Sequence, residues 1–192
     1  MRKIGGVLIA AATALAGWAP ARAGEMAAFR DLRRDLISGG SATLVLQSWC
    51  ARDRLADPPR VVALRDSVET PADSRVRRLL GAGPGEAVAY RRVRLACGGH
   101  VLSTADNWYL PDRLTPDMNR RLETTREPFG LVVAPVGFRR ETLSVRANPV
   151  ALRRDRSETG PILTLEAVLR DRSGHVFALV REAYSAILIR PR

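Results

Sequence analysis

The capacity of this chain for chemistry rests on arginines and carboxylates. Of its 192 residues, 31 are Lys or Arg, 20 are Asp or Glu and two are His. Lys3 is the only lysine, so the basic side chains are otherwise all arginine. A guanidinium is a planar fork that grips a carboxylate or phosphate through two parallel hydrogen bonds. The net charge of +11 therefore suits an anionic partner. Acids such as Asp31, Asp35, Asp53 and Asp57 are interspersed among the arginines, which makes most of the charge a solvated surface. There is no basic tail and no aromatic-plus-basic stripe, so no nucleic-acid partner is expected. The common catalytic motifs are missing. His100 and His175 fall in turn sequences, no G-x-S-x-G is present, and no cluster has metal-ligand spacing. Gly81-Ala-Gly83 and Gly98-Gly99 are turn glycines rather than a phosphate loop. No metal or cofactor is expected, and any chemistry must come from arginines and carboxylates in a pocket.

Cys50 and Cys97 are the two cysteines. No C-x-x-C exists, which argues against a zinc or redox site. Two readings stay open: one disulfide closing a long loop, or two buried thiols acting as small apolar residues.

The elements that must position these groups are legible in part. Apolar residues at Met26, Ala27, Phe29, Leu32, Leu36 and Ile37 give Glu25 to Ile37 a helical period. Gly39-Gly40 breaks it, and Ser41 can cap a second helix running to about Leu55. Arg60 to Arg65 reads as a strand, and Ser74 to Leu80 as a short helix stopped by Gly81. Ala87 to Ala96 and Val101 to Leu110 are the arms of a hairpin about Cys97-Gly-Gly-His100. Thr115-Pro116-Asp117 starts a helix with a cap, a proline at the first position and an acid in the first turn. Strand-like runs follow at Leu131 to Val136, Ile162 to Arg170 and Val176 to Ile189, the last two joined by the turn Asp171 to Gly174. The expected class is α+β: an antiparallel sheet with flanking helices.

The N-terminus reads as an export signal. Met1-Arg2-Lys3 is basic, Ile4 to Ala21 is uncharged, and Ala21-Arg22-Ala23 is an A-x-A-like cleavage site. Glycines, Thr13 and Pro20 dilute the apolar run below what a membrane anchor needs. Residues 1–23 are expected to be removed, leaving 24–192 as one domain in the periplasm or secreted, with no stable membrane insertion. Loss of Arg2, Lys3 and Arg22 lowers the net charge from +11 to +8.

Four stretches occur in an order that resembles a known superfamily: Tyr90-Arg-Arg-Val-Arg-Leu-Ala-Cys-Gly-Gly99, Asn107-Trp-Tyr-Leu-Pro111, Glu127-Pro-Phe-Gly130 and Leu179-Val-Arg-Glu-Ala-Tyr184. This order is similar to the chorismate lyase superfamily, which includes the UTRA ligand-binding domains of GntR-type regulators. The resemblance spans about residues 40 to 190. It implies a chorismate lyase-like fold with a buried pocket for a small anionic metabolite. By position, Glu182 matches a late-strand glutamate of catalytic role. Phe129 and Gly130 match a segment whose backbone faces the ligand. Arg92 and Arg94 match the arginines that hold anionic groups, with Arg91 an alternative for the lyase arginine. Strand alternation puts Arg92 and Arg94 on one face and Arg91 on the other.

The resemblance implies two functions that need the same residue types. One is elimination of pyruvate from chorismate to give 4-hydroxybenzoate, with arginines fixing carboxylates and Glu182 handling a proton. The other is binding of an anion in the periplasm without turnover. A third reading is an envelope interaction protein with an empty pocket.

Overall fold

The structure is a computed structural model that describes residues 18–38, 40–148, 151 and 160–190. Most of the expected export signal, residues 1–17, lies outside the described residues. The chain enters on helix α1 (Trp18–Ser38), which runs through Ala21-Arg22-Ala23, and α2 (Ala42–Arg52) follows. Next come strand β1 (Val61–Arg65), helix α3 (Ser74–Leu80) and the hairpin β2 (Ala89–Cys97) and β3 (His100–Tyr109). Helices α4 (Pro116–Thr124) and α5 (Phe129–Val132) lead to strands β4 (Arg139–Ala147), β5 (Leu163–Arg170) and β6 (Val176–Tyr184). One six-stranded sheet results, in the order β1-β2-β3-β6-β5-β4, with every pairing antiparallel. This is an α+β fold with flanking helices. Among the described residues no helix is long and apolar enough to cross a membrane.

The period of two along each strand separates two faces. One face carries Val93, Leu95, Ala105, Leu163, Leu165 and Tyr184, and α1 and α2 pack on it through Leu32, Leu36, Leu46 and Trp49. Farther along the same face, Tyr109, Ala167, Leu169 and Val180 meet Met118 and Leu122 of α4 and Phe129 and Val132 of α5. Each fully buried leucine contributes about 1.5–3 kcal/mol by leaving water. The opposite face is covered by the short α3, whose Val76 and Leu80 pack on Trp108, Val168 and Leu179. These are called the inner and outer faces below.

Local chemistry explains several boundaries. Gly81 ends α3 in the left-handed conformation at φ 63, where a glycine meets no Cβ penalty. The Thr115 hydroxyl accepts from the Met118 N–H at 3.2 Å and caps α4. Ser41 stands at the N-cap of α2, but its side chain makes no capping hydrogen bond.

Three expectations are corrected. Leu131 to Val136 is not a strand; Pro128 precedes the helical turn α5, and a 3-10 turn, Ala134–Val136, follows it and ends at left-handed Gly137. Its apolar run is short and bracketed by prolines, and Val132 and Val133 enter the core from a helical turn. The last strand stops at Tyr184, and Ala186–Ile189 is a 3-10 turn begun by Ser185. Strand β4 was not anticipated. It lies at an open edge of the sheet, and its exposed positions Arg139, Glu141 and Arg146 hide the apolar alternation of a strand.

Cys50 of α2 and Cys97 of β2 are joined in a disulfide, with Cα atoms 6.1 Å apart. The bond ties the inner helical layer to the sheet.

Candidate functional site

The inner face holds a small cavity of about 30 Å³ between the sheet, the start of α2 and the start of α5. Register builds its floor. Val93, Ala105, Glu182 and Leu165 lie side by side across β2, β3, β6 and β5. Strand pairing therefore brings Glu182 under the helices, and it is only 7% exposed. Arg140, opposite Leu169 on β4, extends from the sheet edge to meet it. Its Nη2 donates to Glu182 Oε2 at 2.5 Å, and its side chain is 4% exposed. The Tyr184 hydroxyl, two residues along β6 from Glu182, donates to the same Oε2 at 2.8 Å. The result is a buried Arg140–Glu182–Tyr184 cluster.

The electrostatics follow from that packing. Burial alone would lower the pKa of Arg140, but the Glu182 carboxylate outweighs it and holds the guanidinium above its ordinary value. Burial pushes the Tyr184 phenol well up, and the Glu182 charge adds to the effect. Both groups therefore keep their protons at neutral pH. The cluster leaves hydrogen-bonding capacity over. Arg140 Nε and Ser41 Oγ are buried without a partner, and both residues line the cavity. Ala42 and Thr43, in the first turn of α2, line it too. An unpaired buried donor costs about 1–3 kcal/mol.

Phe129 and Gly130 of α5 form the opposite wall. Phe129 stacks on Tyr109 with ring centroids 5.4 Å apart. Gly130 passes so close to α2 that a Cβ placed there would stand 2.7 Å from Ser41 Oγ. The segment is anchored from two sides. Arg121 Nη2 donates to Glu127 Oε2 at 2.5 Å, and Arg91 Nη2 donates to the Glu127 carbonyl at 3.1 Å. Arg91 is itself 2% exposed, and burial pulls its pKa down to about 10. Its Nε and Nη1 have no partner.

The arginines of β2 thus divide as alternation requires, with a consequence for the sequence expectation. Arg91 points to the inner side with Val93. Arg92 and Arg94, expected to hold a ligand, lie on the outer face and do not line the cavity. Arg92 Nη1 meets Asp106 Oδ1 at 3.3 Å, and Arg94 Nε meets Asp66 Oδ1 at 3.1 Å. The structure brings Glu182, Phe129 and Gly130 together at one cavity. Sequence reasoning missed Arg140 and Ser41 at the cavity, and Tyr184 behind Glu182. Arg140 was hidden because β4 had not been read as a strand. Ser41 was read only as a cap. His100 and His175 are exposed at their turns. Among the described residues no group of His, Cys, Asp and Glu could hold a metal ion.

Beside the cavity runs a wider groove of about 560 Å³ between α2 and α5. Ser41, Gly130 and Phe138 line both spaces.

No family model matches the chain. Its fold is that of the chorismate lyase-like and UTRA domains. The effector domain of PhnF from Mycobacterium smegmatis superposes with a TM-score of 0.52 at 16% identity, covering 76% of this chain and 88% of that one. The longer PhnF structure from the same organism gives 0.53 at 15% identity, covering 83% and 80%. In sequence, the uncharacterized protein y4mC of Sinorhizobium fredii (strain NBRC 101917 / NGR234) is 39% identical over 180 residues, which cover 85% of this chain and 76% of that protein. At that identity and coverage, this chain belongs to one family with y4mC.

Proposed function

We propose that this protein is an exported small-molecule-binding domain that takes a carboxylate-bearing metabolite without turning it over. One observation carries the reading: two buried, unpartnered donors, Arg140 Nε and Ser41 Oγ, line the same small cavity. A carboxylate supplies acceptors to both, through charge-assisted bonds at the guanidinium. The start of α2 adds favourable potential for negative charge, since its first-turn N–H groups have no intrahelical acceptor. Glu182 holds Arg140 in place and presents its carboxylate at the cavity wall, where a hydroxyl or amine of the ligand would be favoured.

Binding without turnover is preferred over pyruvate elimination on the state of Glu182. General acid–base work needs a carboxyl group within reach of the proton it moves and free to exchange it. Glu182 is instead held by Arg140 and Tyr184. The small cavity, lined by a buried arginine, suits a compact charged group such as a carboxylate. The shared fold with a domain described as an effector domain supports the same choice. Export is supported by the basic, apolar and A-x-A-like run of residues 1–23 and by the Cys50–Cys97 disulfide, a bond typical of oxidising compartments.

The test uses the full chain expressed in a bacterial host. The exported fraction should contain protein starting at Gly24. Thermal shifts with benzoate, 4-hydroxybenzoate and chorismate should show stabilisation that grows with ligand concentration. Ser41→Ala should weaken that response, and chorismate should yield no 4-hydroxybenzoate above its spontaneous rate. Turnover that disappears in Glu182→Ala would make the protein a lyase. Absence of stabilisation by every carboxylate would remove the binding reading.

A further inference from the structure

The two ends of the outer face differ in charge balance. At the β1–β3 end, Arg92 and Arg94 meet Asp66 and Asp106, so two arginines face two acids. At the β4–β6 end that balance fails. Register sets Ser144, Glu166 and Arg181 in one row across β4, β5 and β6, and Arg146 and Thr164 in the next. Arg75 reaches this end from α3, and all six residues line one recess of about 520 Å³. Glu166 is the single acid among them, and it is only 7% exposed. Arg75 Nη1 donates to Glu166 Oε2 at 3.1 Å, and its Nη2 meets Oε1. Arg181 Nε and Nη2 donate to the same Oε2 at 3.3 and 3.1 Å, and its guanidinium lies over the Trp108 ring at 5.2 Å. The nearby acids are spent elsewhere: Asp73 accepts from the Val76 N–H at 2.7 Å, and Glu141 pairs with Arg170 at 2.7 Å. Neither lines the recess.

One carboxylate among three guanidiniums leaves two positive charges in excess. Arg146 is exposed and has no ion-pair partner among the described residues. Arg75 Nε and Arg181 Nη1 likewise keep donors that Glu166 does not use. The hydroxyls of Ser144 and Thr164 add to them. Like charges gathered in one recess repel, and a bound anion relieves that repulsion. A phosphate monoester carries about −1.5 to −2 at neutral pH and presents three acceptor oxygens, which matches both the excess charge and the spare donors. A single carboxylate supplies only half of that charge. We propose that this recess is a second binding site, on the face of the sheet opposite the inner cavity, and that it takes the phosphate group of a small soluble phosphomonoester. Arg146 and the free edges of Arg75 and Arg181 grip the phosphate oxygens, and the volume leaves room for the organic part of the ester. The two sites share no lining residue, so this proposal stands independently of the carboxylate one.

The test is calorimetric titration of the full processed protein, at fixed ionic strength, with glycerol 3-phosphate, inorganic phosphate, succinate and acetate. Glycerol 3-phosphate should bind tightest, inorganic phosphate next, and acetate least. Arg146→Gln, at an exposed position without a partner, should keep the melting temperature and weaken both phosphates about tenfold or more. Arg181→Gln should do the same to binding. Arg94→Gln, which removes a charge from the other end of the same face, should leave phosphate binding unchanged. Phosphate binding that survives both Arg146→Gln and Arg181→Gln overturns the proposal, as does equal weakening by Arg94→Gln, which would reduce the effect to overall charge. Succinate or acetate binding as tightly as glycerol 3-phosphate overturns the assignment to phosphate. Vesicles containing phosphatidic acid separate the remaining source. If they retain the protein through Arg146 while glycerol 3-phosphate fails to bind, the recess belongs to a membrane surface and the soluble ligand is overturned.

Discussion

The two faces of the sheet use arginine in opposite ways. On the outer face, arginines that keep their contact with water form a ladder with carboxylates: Arg92 and Arg94 with Asp66, Arg92 with Asp106, and Arg75 and Arg181 with the buried Glu166. The side chains of Arg75, Arg94 and Arg181 are each about half exposed. On the inner face, Arg140 and Glu182 are buried together, and Arg140 keeps an unused donor. Exposed pairs are solvated whether or not they meet, so each contributes little. A buried pair must offset the loss of water from both charges, and an orphaned donor beside it adds a further cost. The number of arginines therefore says little about where an anion binds. Their degree of desolvation and unused valence says more.

Substitutions can break this comparison, beginning with the largest expected effect. Glu182→Ala leaves Arg140 buried without its counter-ion and removes the acceptor of the Tyr184 hydroxyl. A loss of about 3–5 kcal/mol is expected in denaturant unfolding. A loss below about 1 kcal/mol would make the inner pair no different from the outer ones. Next, the inner helical layer depends on its covalent tie. Cys50 and Cys97 are 47 residues apart, and opening a loop of that length costs about 4 kcal/mol in the chain-entropy account. Unfolding of the protein with and without reductant measures it, and equal midpoints would show that α2 holds to the sheet without the bond.

The dependence on pH sharpens the contrast at both ends. Hydrogen bonds from Arg75 and Arg181 hold the Glu166 carboxyl below the usual carboxylate value, against burial, which raises it. A depressed folded pKa stabilises above the unfolded pKa, and the benefit is lost as pH falls below the carboxylate range. Stability should drop on the acid side, less so in Glu166→Gln. On the alkaline side Tyr184, Tyr109 and Tyr90 are all raised, chiefly by burial. A raised folded pKa stabilises below the unfolded pKa, and that benefit is lost as pH climbs past about 10. Absorbance titration of the native protein should show little tyrosinate near pH 10, with the bulk released on alkaline unfolding. Smallest of all, Arg94→Ala on the outer face should cost less than about 1 kcal/mol and leave ligand responses unchanged. A loss of binding in Arg94→Ala would return the site to the face where the sequence first placed it.

Local residue types made much of the fold readable. The turn at Gly98-Gly99, the stop at Gly81 and the cap at Thr115 act through their nearest neighbours, so they can be read without knowing the rest of the chain. The same holds for the hairpin arms of β2 and β3, whose apolar residues alternate. Leu131 to Val136 defeated that approach because β-branched residues fit a buried helical turn as well as a strand once prolines limit its length. Edge strand β4 defeated it because its exposed positions are charged, as an open edge requires.

The candidate site was legible in one half only. Glu182 and the Phe129-Gly130 segment could be placed by resemblance of short motifs, since each lies within its own motif. Arg140 could not, because it meets Glu182 from 42 residues away across β5. By itself the sequence determined the local elements, and it determined that Arg91 must oppose Arg92 and Arg94, because side chains alternate along any strand. Only the tertiary structure decided which of those two sets lies under the inner layer of helices. Alternation fixes relative sides, and the absolute side is set by which face the helices α1, α2, α4 and α5 cover.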